Sequence, residues 1–186
     1  MAGARLRVTG GSARGVPLTA PRGVRLRPTS GLVREAVFNI LGEAVSDAKV
    51  LDLYAGTGAL GIEALSRGAS QATFIEAEGG ACQAILQSLA RMGFSSRATV
   101  LRGKLPGALR NAGGPFDLVV MDPPYHEETA LETLNEIADV LQQGGVVVYE
   151  HGSKYNPPER PKGLVRTDRR VYGDSGLALY RRQEGE

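Results

Sequence analysis

The fold is decided by one stretch, Val50-Leu-Asp-Leu-Tyr-Ala-Gly-Thr-Gly-Ala-Leu-Gly61. Its apolar first half predicts a buried strand, and its glycine-rich second half predicts a tight turn into a helix. Gly56 and Gly58 let the backbone bend sharply and let a ligand approach closely. The helix that follows begins with backbone N–H groups that have no partner inside the helix. The stretch therefore predicts a βα unit with a nucleotide-type ligand at its turn.

Strands and helices alternate on both sides of this unit. Apolar runs predict five buried strands, at residues 50–54, 72–75, 98–101, 118–121 and 146–149. Periodic segments predict helices at residues 30–43 (capped by Thr29 or Ser30), 59–67, 79–92 and 129–142. Unbroken apolar strands joined by helices are typical of an α/β fold, a parallel sheet with helices on both faces.

The two ends of the chain predict hairpins. Residues 163–172 and 176–182 are joined by Gly173-Asp-Ser175, which predicts an antiparallel edge and brings the sheet to seven strands. Residues 5–8 and 15–18 predict a short N-terminal β-hairpin. We therefore divide the chain into a basic N-terminal arm, residues 1–28, and one α/β domain, residues 29–186.

Composition excludes several classes of protein. Cys82 is the single cysteine, so no disulfide can form within the chain, and no cysteine-based zinc site or other metal site is expected. No apolar run approaches the ~20 residues needed to cross a bilayer, and residues 1–28 lack the apolar core of a signal peptide. We therefore expect a cytoplasmic protein that makes no use of a membrane.

Charge is segregated along the chain. Residues 1–34 carry seven arginines and no acidic residue, residues 35–153 carry a net charge of −8, and residues 154–182 carry +5. A single basic segment is most often ordinary solvated surface. Two such segments in one small protein favour a polyanionic partner, because each Lys or Arg that neutralises a phosphate releases counterions.

The glycine-rich turn is compatible with more than one ligand. Gly56-x-Gly58-x-x-Gly61 matches the dinucleotide fingerprint, and Glu76 ends the next predicted strand, where a carboxylate can accept both ribose hydroxyls. The glycines alone also fit a plain turn between strand and helix. Asp52 lies inside the first strand. A carboxylate is a poor neighbour for a pyrophosphate, but it suits the ammonium group of S-adenosylmethionine.

The fourth predicted strand ends in the tetrad Asp122-Pro-Pro-Tyr125. In a doubly wound sheet the carboxyl ends of the strands face one crevice, so the tetrad should share the site of Gly56 and Glu76. Two prolines make the loop rigid and rich in acceptors, so Asp122 and the Pro123 carbonyl can accept protons from one amino group. Tyr125 offers a flat face for an unstacked base. A strand stopped by a Pro-Pro turn is the alternative.

Taken together, the chain resembles the class I S-adenosylmethionine-dependent methyltransferases, and specifically the RsmD family. The resemblance covers nearly the whole chain. It is carried by Arg7-Val-Thr-Gly-Gly-Ser-Ala-Arg-Gly15, Leu26-Arg-Pro-Thr29, Val33-Arg-Glu-Ala-Val-Phe-Asn39, Leu51 to Gly68, Asp122-Pro-Pro-Tyr125 and Val171-Tyr-Gly-Asp174. It implies a Rossmann-like fold and methyl transfer from S-adenosylmethionine to N2 of guanine 966 of 16S rRNA. The partner would be a small ribosomal subunit or its precursor, and the protein a monomer.

The resemblance also implies roles for individual residues. The residues expected to act on the target amine and base are Asp122, Pro123, Pro124 and Tyr125. Those expected to bind the cofactor are Asp52, Tyr54, Ala55, Gly56, Thr57, Gly58, Ala59, Leu60, Glu76, Ala77, Gly103 and Asp122. Those expected to contact RNA are Arg7, Arg14, Arg27, Thr29, Arg34 and Tyr125, although Thr29 is equally a candidate helix cap. One departure is Arg102-Gly-Lys104, where many related enzymes carry an acid near adenine.

Three rival functions fit parts of the sequence. A nicotinamide oxidoreductase explains the glycines and Glu76 but leaves Asp52 and the tetrad unexplained. A non-catalytic RNA-binding assembly protein has no need of Asp122 at the rim of the sheet. A DNA adenine-N6 methyltransferase shares the tetrad, but the chain has no large insertion for reading duplex bases, which favours RNA.

Overall fold

A computed structural model gives the structure and describes residues 6–21 and 30–183. The strands are β1 (Lys49–Leu53), β2 (Gln71–Glu76), β3 (Ala98–Arg102), β4 (Phe116–Met121), β5 (Leu141–Gly152), β6 (Leu164–Tyr172) and β7 (Ser175–Arg182). The helices are α1 (Gly31–Leu41), α2 (Ala59–Ser66), α3 (Gly79–Arg91) and α4 (Ala130–Glu136), with 3-10 turns at Gly42–Val45, Ser95–Arg97, Gly107–Asn111 and Ile137–Asp139.

The strands form one seven-stranded sheet in the order β3-β2-β1-β4-β5-β7-β6. β1 pairs in parallel with β2 and β4, β2 with β3, and β4 with β5. β7 lies antiparallel between β5 and β6. The predicted parallel sheet with an antiparallel C-terminal hairpin is therefore confirmed.

Helices cover both faces of the sheet, as predicted. Val50 and Val120 point to one face, where they share a core with α1, α2 and α3. Leu51 and Val119 point to the other face, where they pack with Leu134 of α4. Within residues 6–21 and 30–183 no helix is both long and apolar enough to cross a membrane.

Residues 6–18 form a hairpin, as predicted, but its arms meet in one isolated bridge, Arg7 with Pro17, and not as two strands. The Val8 amide donates to the Val16 carbonyl at 3.0 Å, and the Leu18 amide donates to the Leu6 carbonyl at 2.9 Å. Its buried apolar side chains, which belong to the same core as α1, α2 and α3, are Val8, Ala13 and Leu18. The hairpin is therefore packed against the helices over its described length, and the boundary at residue 28 stays a prediction.

A buried carboxylate on α2 anchors the hairpin. Glu63 is 1 % exposed, and its oxygens accept from the Thr9 amide (2.9 Å), the Thr9 hydroxyl (2.7 Å) and the Gly10 amide (2.7 Å). The Arg67 Nε also donates to Glu63, at 3.0 Å. Because these donors satisfy both carboxylate oxygens, the buried charge is compensated.

The predicted helix at 129–142 is too long at its C-terminal end. α4 ends at Glu136, and after one 3-10 turn the chain enters β5, where Leu141 pairs with Phe116. The pairing of β4 with β5 shifts register after Phe116 and becomes regular from the pair Leu118–Val146 onward. Pairing with a strand distant in sequence overrides the local helical preference of this segment.

Candidate active site

A cavity of about 850 Å³ lies at the carboxyl ends of β1, β2, β4 and β5. The predicted cofactor-binding residues that line it are Asp52, Tyr54, Ala55, Gly56, Thr57, Ala59, Leu60, Glu76, Ala77, Gly103 and Asp122. The predicted catalytic residues Pro123, Pro124 and Tyr125 line it as well. Gly58 does not line the cavity; it is the N-cap residue of α2. The structure thus brings the glycine-rich turn and the tetrad to one place.

The turn between β1 and α2 requires its unusual residues. Tyr54, Gly56 and Gly58 adopt φ values of 57°, 58° and 74°, a conformation that costs a non-glycine residue free energy. Gly61 has a different role, because a Cβ there would lie 2.3 Å from the Phe74 ring. The first two glycines therefore shape the turn, and the third allows α2 to pack closely on β2.

Glu76 at the end of β2 braces this turn. Its Oε2 accepts from the Gly56 amide at 2.7 Å, and its Oε1 accepts from the Glu78 amide at 2.9 Å. Both carboxylate oxygens thus contact backbone, whereas the sequence suggested that both would serve the ribose. Each oxygen has a second lone pair, so the carboxylate can still accept hydroxyl donors from the cavity.

Asp52 lies beneath the turn and is 1 % exposed. Its Oδ2 accepts from the Gly61 amide at 2.9 Å. Burial raises the pKa of Asp52 well above its ordinary value, the hydrogen bond from Gly61 opposes this rise, and the charges of Asp122 and Glu76 add to it. A cation bound in the cavity would stabilise the charged form of this carboxylate.

The tetrad is held from the C-terminal hairpin. Pro123 is buried, whereas the Tyr125 side chain is 41 % exposed. The Tyr125 hydroxyl donates to the Asp174 carbonyl at 3.2 Å and lies 3.4 Å from the Ser175 hydroxyl. These contacts tie the loop after β4 to the β6–β7 turn and leave the ring accessible from the cavity.

The residues predicted to contact RNA do not all lie at the cavity. Arg34 was expected at its mouth, but it is 2 % exposed, and its Nη2 donates to the Arg7 carbonyl at 2.8 Å. Arg34 therefore fastens α1 to the hairpin. Arg7 is exposed and its Nη1 donates to the Gly15 carbonyl at 2.7 Å, while Arg14 is exposed on the hairpin turn. Arg27 and Thr29 lie outside the described residues.

Sequence reasoning missed several cavity residues, of which Ser30, Glu150 and Ser175 matter most. Ser30 caps α1, with its side chain accepting from the Val33 amide. Glu150 directly follows the predicted fifth strand, so the strand-end rule that selects Glu76 also points to it. Ser175 carries no comparable signal, because its place depends on the insertion of β7 beside β5.

Comparison with known proteins shows which family this chain is similar to. A family model described as "Conserved hypothetical protein 95" matches residues 6–181. Ribosomal RNA small subunit methyltransferase D of Escherichia coli is 35 % identical, over 98 % of this chain and 93 % of the relative. The YlbH protein of Bacillus subtilis is 36 % identical over 96 % of this chain and 100 % of the relative.

The chain belongs to the RsmD family. The solved structure of yhhF from Escherichia coli has a TM-score of 0.84 and 33 % identity, covering 98 % of this chain and 100 % of that one. The predicted Rossmann-like class I methyltransferase fold is thereby confirmed. In this member of the RsmD family the glycine-rich turn and the Asp-Pro-Pro-Tyr tetrad face the same cavity.

Proposed function

We propose that this protein transfers a methyl group from S-adenosylmethionine to N2 of a guanine in 16S rRNA, at position 966. The observation that carries the proposal is the single cavity shared by the glycine-rich turn, Glu76 and the Asp122-Pro-Pro-Tyr125 loop. The name of the Escherichia coli relative supports the choice of small-subunit rRNA.

The residues present fit S-adenosylmethionine. The cavity volume is in the range of ligand pockets, and the buried Asp52 favours a cationic amino group nearby. Glu76 would accept the ribose hydroxyls, and Ala77 and Gly103 would flank the adenine, where Lys104 stands in place of an acid. When bound, the cofactor supplies an electrophilic methyl group on its sulfonium.

The tetrad would prepare the nucleophile. An exocyclic amine on guanine is a poor nucleophile because its lone pair is delocalised into the ring. Asp122 and the Pro123 carbonyl would both accept N–H donors from that amine, which favours a pyramidal nitrogen whose lone pair can reach the methyl group. The Tyr125 ring would support the base taken from its stack. The two prolines keep these acceptors in fixed positions.

The basic ends of the chain would bind the RNA backbone. Arg7 and Arg14 are exposed on the hairpin, and the positively charged segment 154–182 includes β6 and β7, whose turn contacts Tyr125. RNA phosphates are attracted to such surfaces without regard to sequence. We propose a monomer acting in the cytoplasm on a small ribosomal subunit or its precursor.

One incorporation experiment tests this function. Three reactions each contain the protein and methyl-labelled S-adenosylmethionine. Their substrates are free 16S rRNA, isolated small ribosomal subunits lacking the modification, and unmethylated duplex DNA. We expect label in the rRNA or the subunits, and the stronger of the two identifies the natural form of the substrate. Label in DNA alone, or in none of the three, contradicts the proposal. The Glu43→Ala variant, changed on an exposed surface, should match the wild type.

A further inference from the structure

A second carboxylate lies next to Asp122 at the edge of the sheet. Tyr149 of β5 pairs with Met121 of β4, so Glu150 and Asp122 follow paired residues on neighbouring parallel strands. Both line the cavity, and the Glu150 side chain is 6 % exposed. Neighbouring strands lie about 4.8 Å apart, so the two carboxylates can meet adjacent atoms of one ligand.

Both side chains point to the same face of the sheet. Side chains alternate along a strand, and Val148 packs in the core with α1, α2 and α3, so Glu150 shares that side. Val120 packs in the same core, which places Asp122 on that side as well. The two carboxylates therefore face the part of the cavity beside the N-terminus of α1, where Ser30 lines it.

A hydrogen bond from Ser175 orients Glu150, and the same serine contacts the tetrad. The Glu150 Oε1 accepts from the Ser175 hydroxyl at 3.0 Å. The same hydroxyl lies 3.4 Å from the Tyr125 hydroxyl. Glu150 is thus fixed relative to the ring that would carry the target base, which is how a specificity residue should be held.

We propose that Glu150 selects guanine by accepting the N1–H of the target base while Asp122 takes the neighbouring amine; this rests on the proposed function. Guanine presents two adjacent donors, N1–H and the 2-amino group, to a pair of carboxylates. Adenine presents an unprotonated N1, whose lone pair would face the Glu150 oxygens. The pair therefore accepts guanine and rejects adenine, because two acceptor lone pairs that face each other repel and form no hydrogen bond.

The test uses 2-aminopurine, which keeps the 2-amino group that receives the methyl but has no hydrogen on N1. Two rRNA substrates are compared in single-turnover methylation, one with guanosine and one with 2-aminopurine at the target position. The wild type should methylate the guanosine RNA at least ~10-fold faster, since one hydrogen bond to a charged group is lost with 2-aminopurine.

The Glu150→Gln variant sharpens the test. Its amide oxygen can still accept N1–H, and its amide nitrogen can donate to an unprotonated N1, so the ratio of the two rates should fall by about tenfold. A loss of structural support alone would slow both substrates equally and leave the ratio unchanged. Glu128→Gln, an exposed glutamate near the tetrad that does not line the cavity, should keep the wild-type ratio.

Two results would overturn the inference. One is a wild-type ratio near one between the methylation rates of the guanosine RNA and the 2-aminopurine RNA. This result is obtained with the wild type alone and does not depend on the folding of a variant. The other is a wild-type ratio retained by folded Glu150→Gln. Failure of the proposed function itself is distinct, because the wild type would then methylate neither RNA on its 2-amino group.

Discussion

At the scale of single residues, three carboxylates meet one cavity in different surroundings. Asp52 is buried beneath the glycine-rich turn, Glu76 braces that turn through two backbone amides, and Asp122 begins a rigid proline loop. Burial raises the pKa of Asp52 well above its ordinary value. Each residue therefore has its own test.

Replacing Asp122 should remove activity without removing cofactor binding by the rest of the site. Asp122→Ala would eliminate one of the two proposed acceptors for the target amine, and we expect single-turnover methylation to fall by ~10²-fold or more. Asp122→Asn keeps an acceptor oxygen and should retain more activity than Asp122→Ala. Near-wild-type turnover in Asp122→Ala would place the active site elsewhere.

The ring and the hydroxyl of Tyr125 can be separated. Tyr125→Phe keeps the ring, loses the hydroxyl contacts with Asp174 and Ser175, and should slow methylation by less than ~10-fold. Tyr125→Ala also loses the stacking surface, worth ~1–3 kcal/mol per base, and should be slower still, with unchanged S-adenosylmethionine affinity in calorimetry. Equal rates for the two variants would show that the ring does not hold the base.

Asp52 should make stability depend on pH. The pKa of Asp52 is higher in the folded protein than in the unfolded chain, where it is about 3.9. At a pH between these two pKa values, unfolding releases a proton. The free energy of unfolding therefore falls as the pH rises through this range. Asp52→Asn removes this loss and keeps an oxygen for the Gly61 amide. Its Tm should therefore rise relative to wild type as pH increases, while cofactor affinity falls. Parallel Tm profiles for Asp52→Asn and the wild type would refute the assignment.

At the scale of elements, the N-terminal hairpin and α2 depend on one buried carboxylate. Glu63 accepts from Thr9, Gly10 and Arg67, and its removal leaves these donors without their acceptor. Glu63→Ala should lower the free energy of unfolding by about 1–3 kcal/mol in urea denaturation. The exposed Glu43→Ala should change it by less than ~0.5 kcal/mol. Equal effects would mean that the hairpin does not need this anchor.

Local sequence patterns predicted which helices and strands form better than they predicted the residues at which these elements end. The strand at residues 50–54 and the capped helix after Ser30 follow from apolar runs and capping chemistry, which act over a few residues. The end of α4 was wrong because Leu141 gains a partner in Phe116, which lies far away in sequence. Similarly, the sequence predicts that Arg34 is an exposed cation. Its contact with the Arg7 carbonyl could not be predicted, because it forms only when the hairpin packs against α1.

The residues of the candidate site likewise divide into those that the sequence predicted and those that it did not. Asp52, Glu76 and Asp122 were predictable because the carboxyl ends of parallel strands meet at one edge. Ser175 was not predictable, because it reaches the cavity only through the antiparallel insertion of β7 beside β5. Sequence periodicity gives the type of a strand but not its neighbour in the sheet.

At the scale of the whole molecule, charge separates basic ends from an acidic middle. Val8, Ala13 and Leu18 belong to the main core, so removal of the first twenty residues would disturb folding as well as charge. Single substitutions of exposed arginines are therefore the appropriate test of RNA binding.

Arg14→Ala should weaken RNA binding and reduce the slope of log K against log salt by about 1, because the proposed phosphate contact would be lost. S-adenosylmethionine affinity should not change. Arg110→Ala, an exposed arginine in the acidic middle of the chain, is the matched control and should keep the wild-type slope. An unchanged slope in Arg14→Ala would show that the hairpin turn is ordinary solvated surface and does not contact the RNA backbone.

Methyl transfer to N2 of guanine is tested most directly by the chemical identity of the methylated nucleoside. Small-subunit rRNA methylated by the wild type is digested to nucleosides and analysed by mass spectrometry against authentic standards, with Asp122→Ala as the inactive comparison. We predict N2-methylguanosine as the product, at about one per rRNA molecule, and its loss in Asp122→Ala. N6-methyladenosine, methylation on ribose, or N2-methylguanosine at the wild-type level in Asp122→Ala would contradict the account.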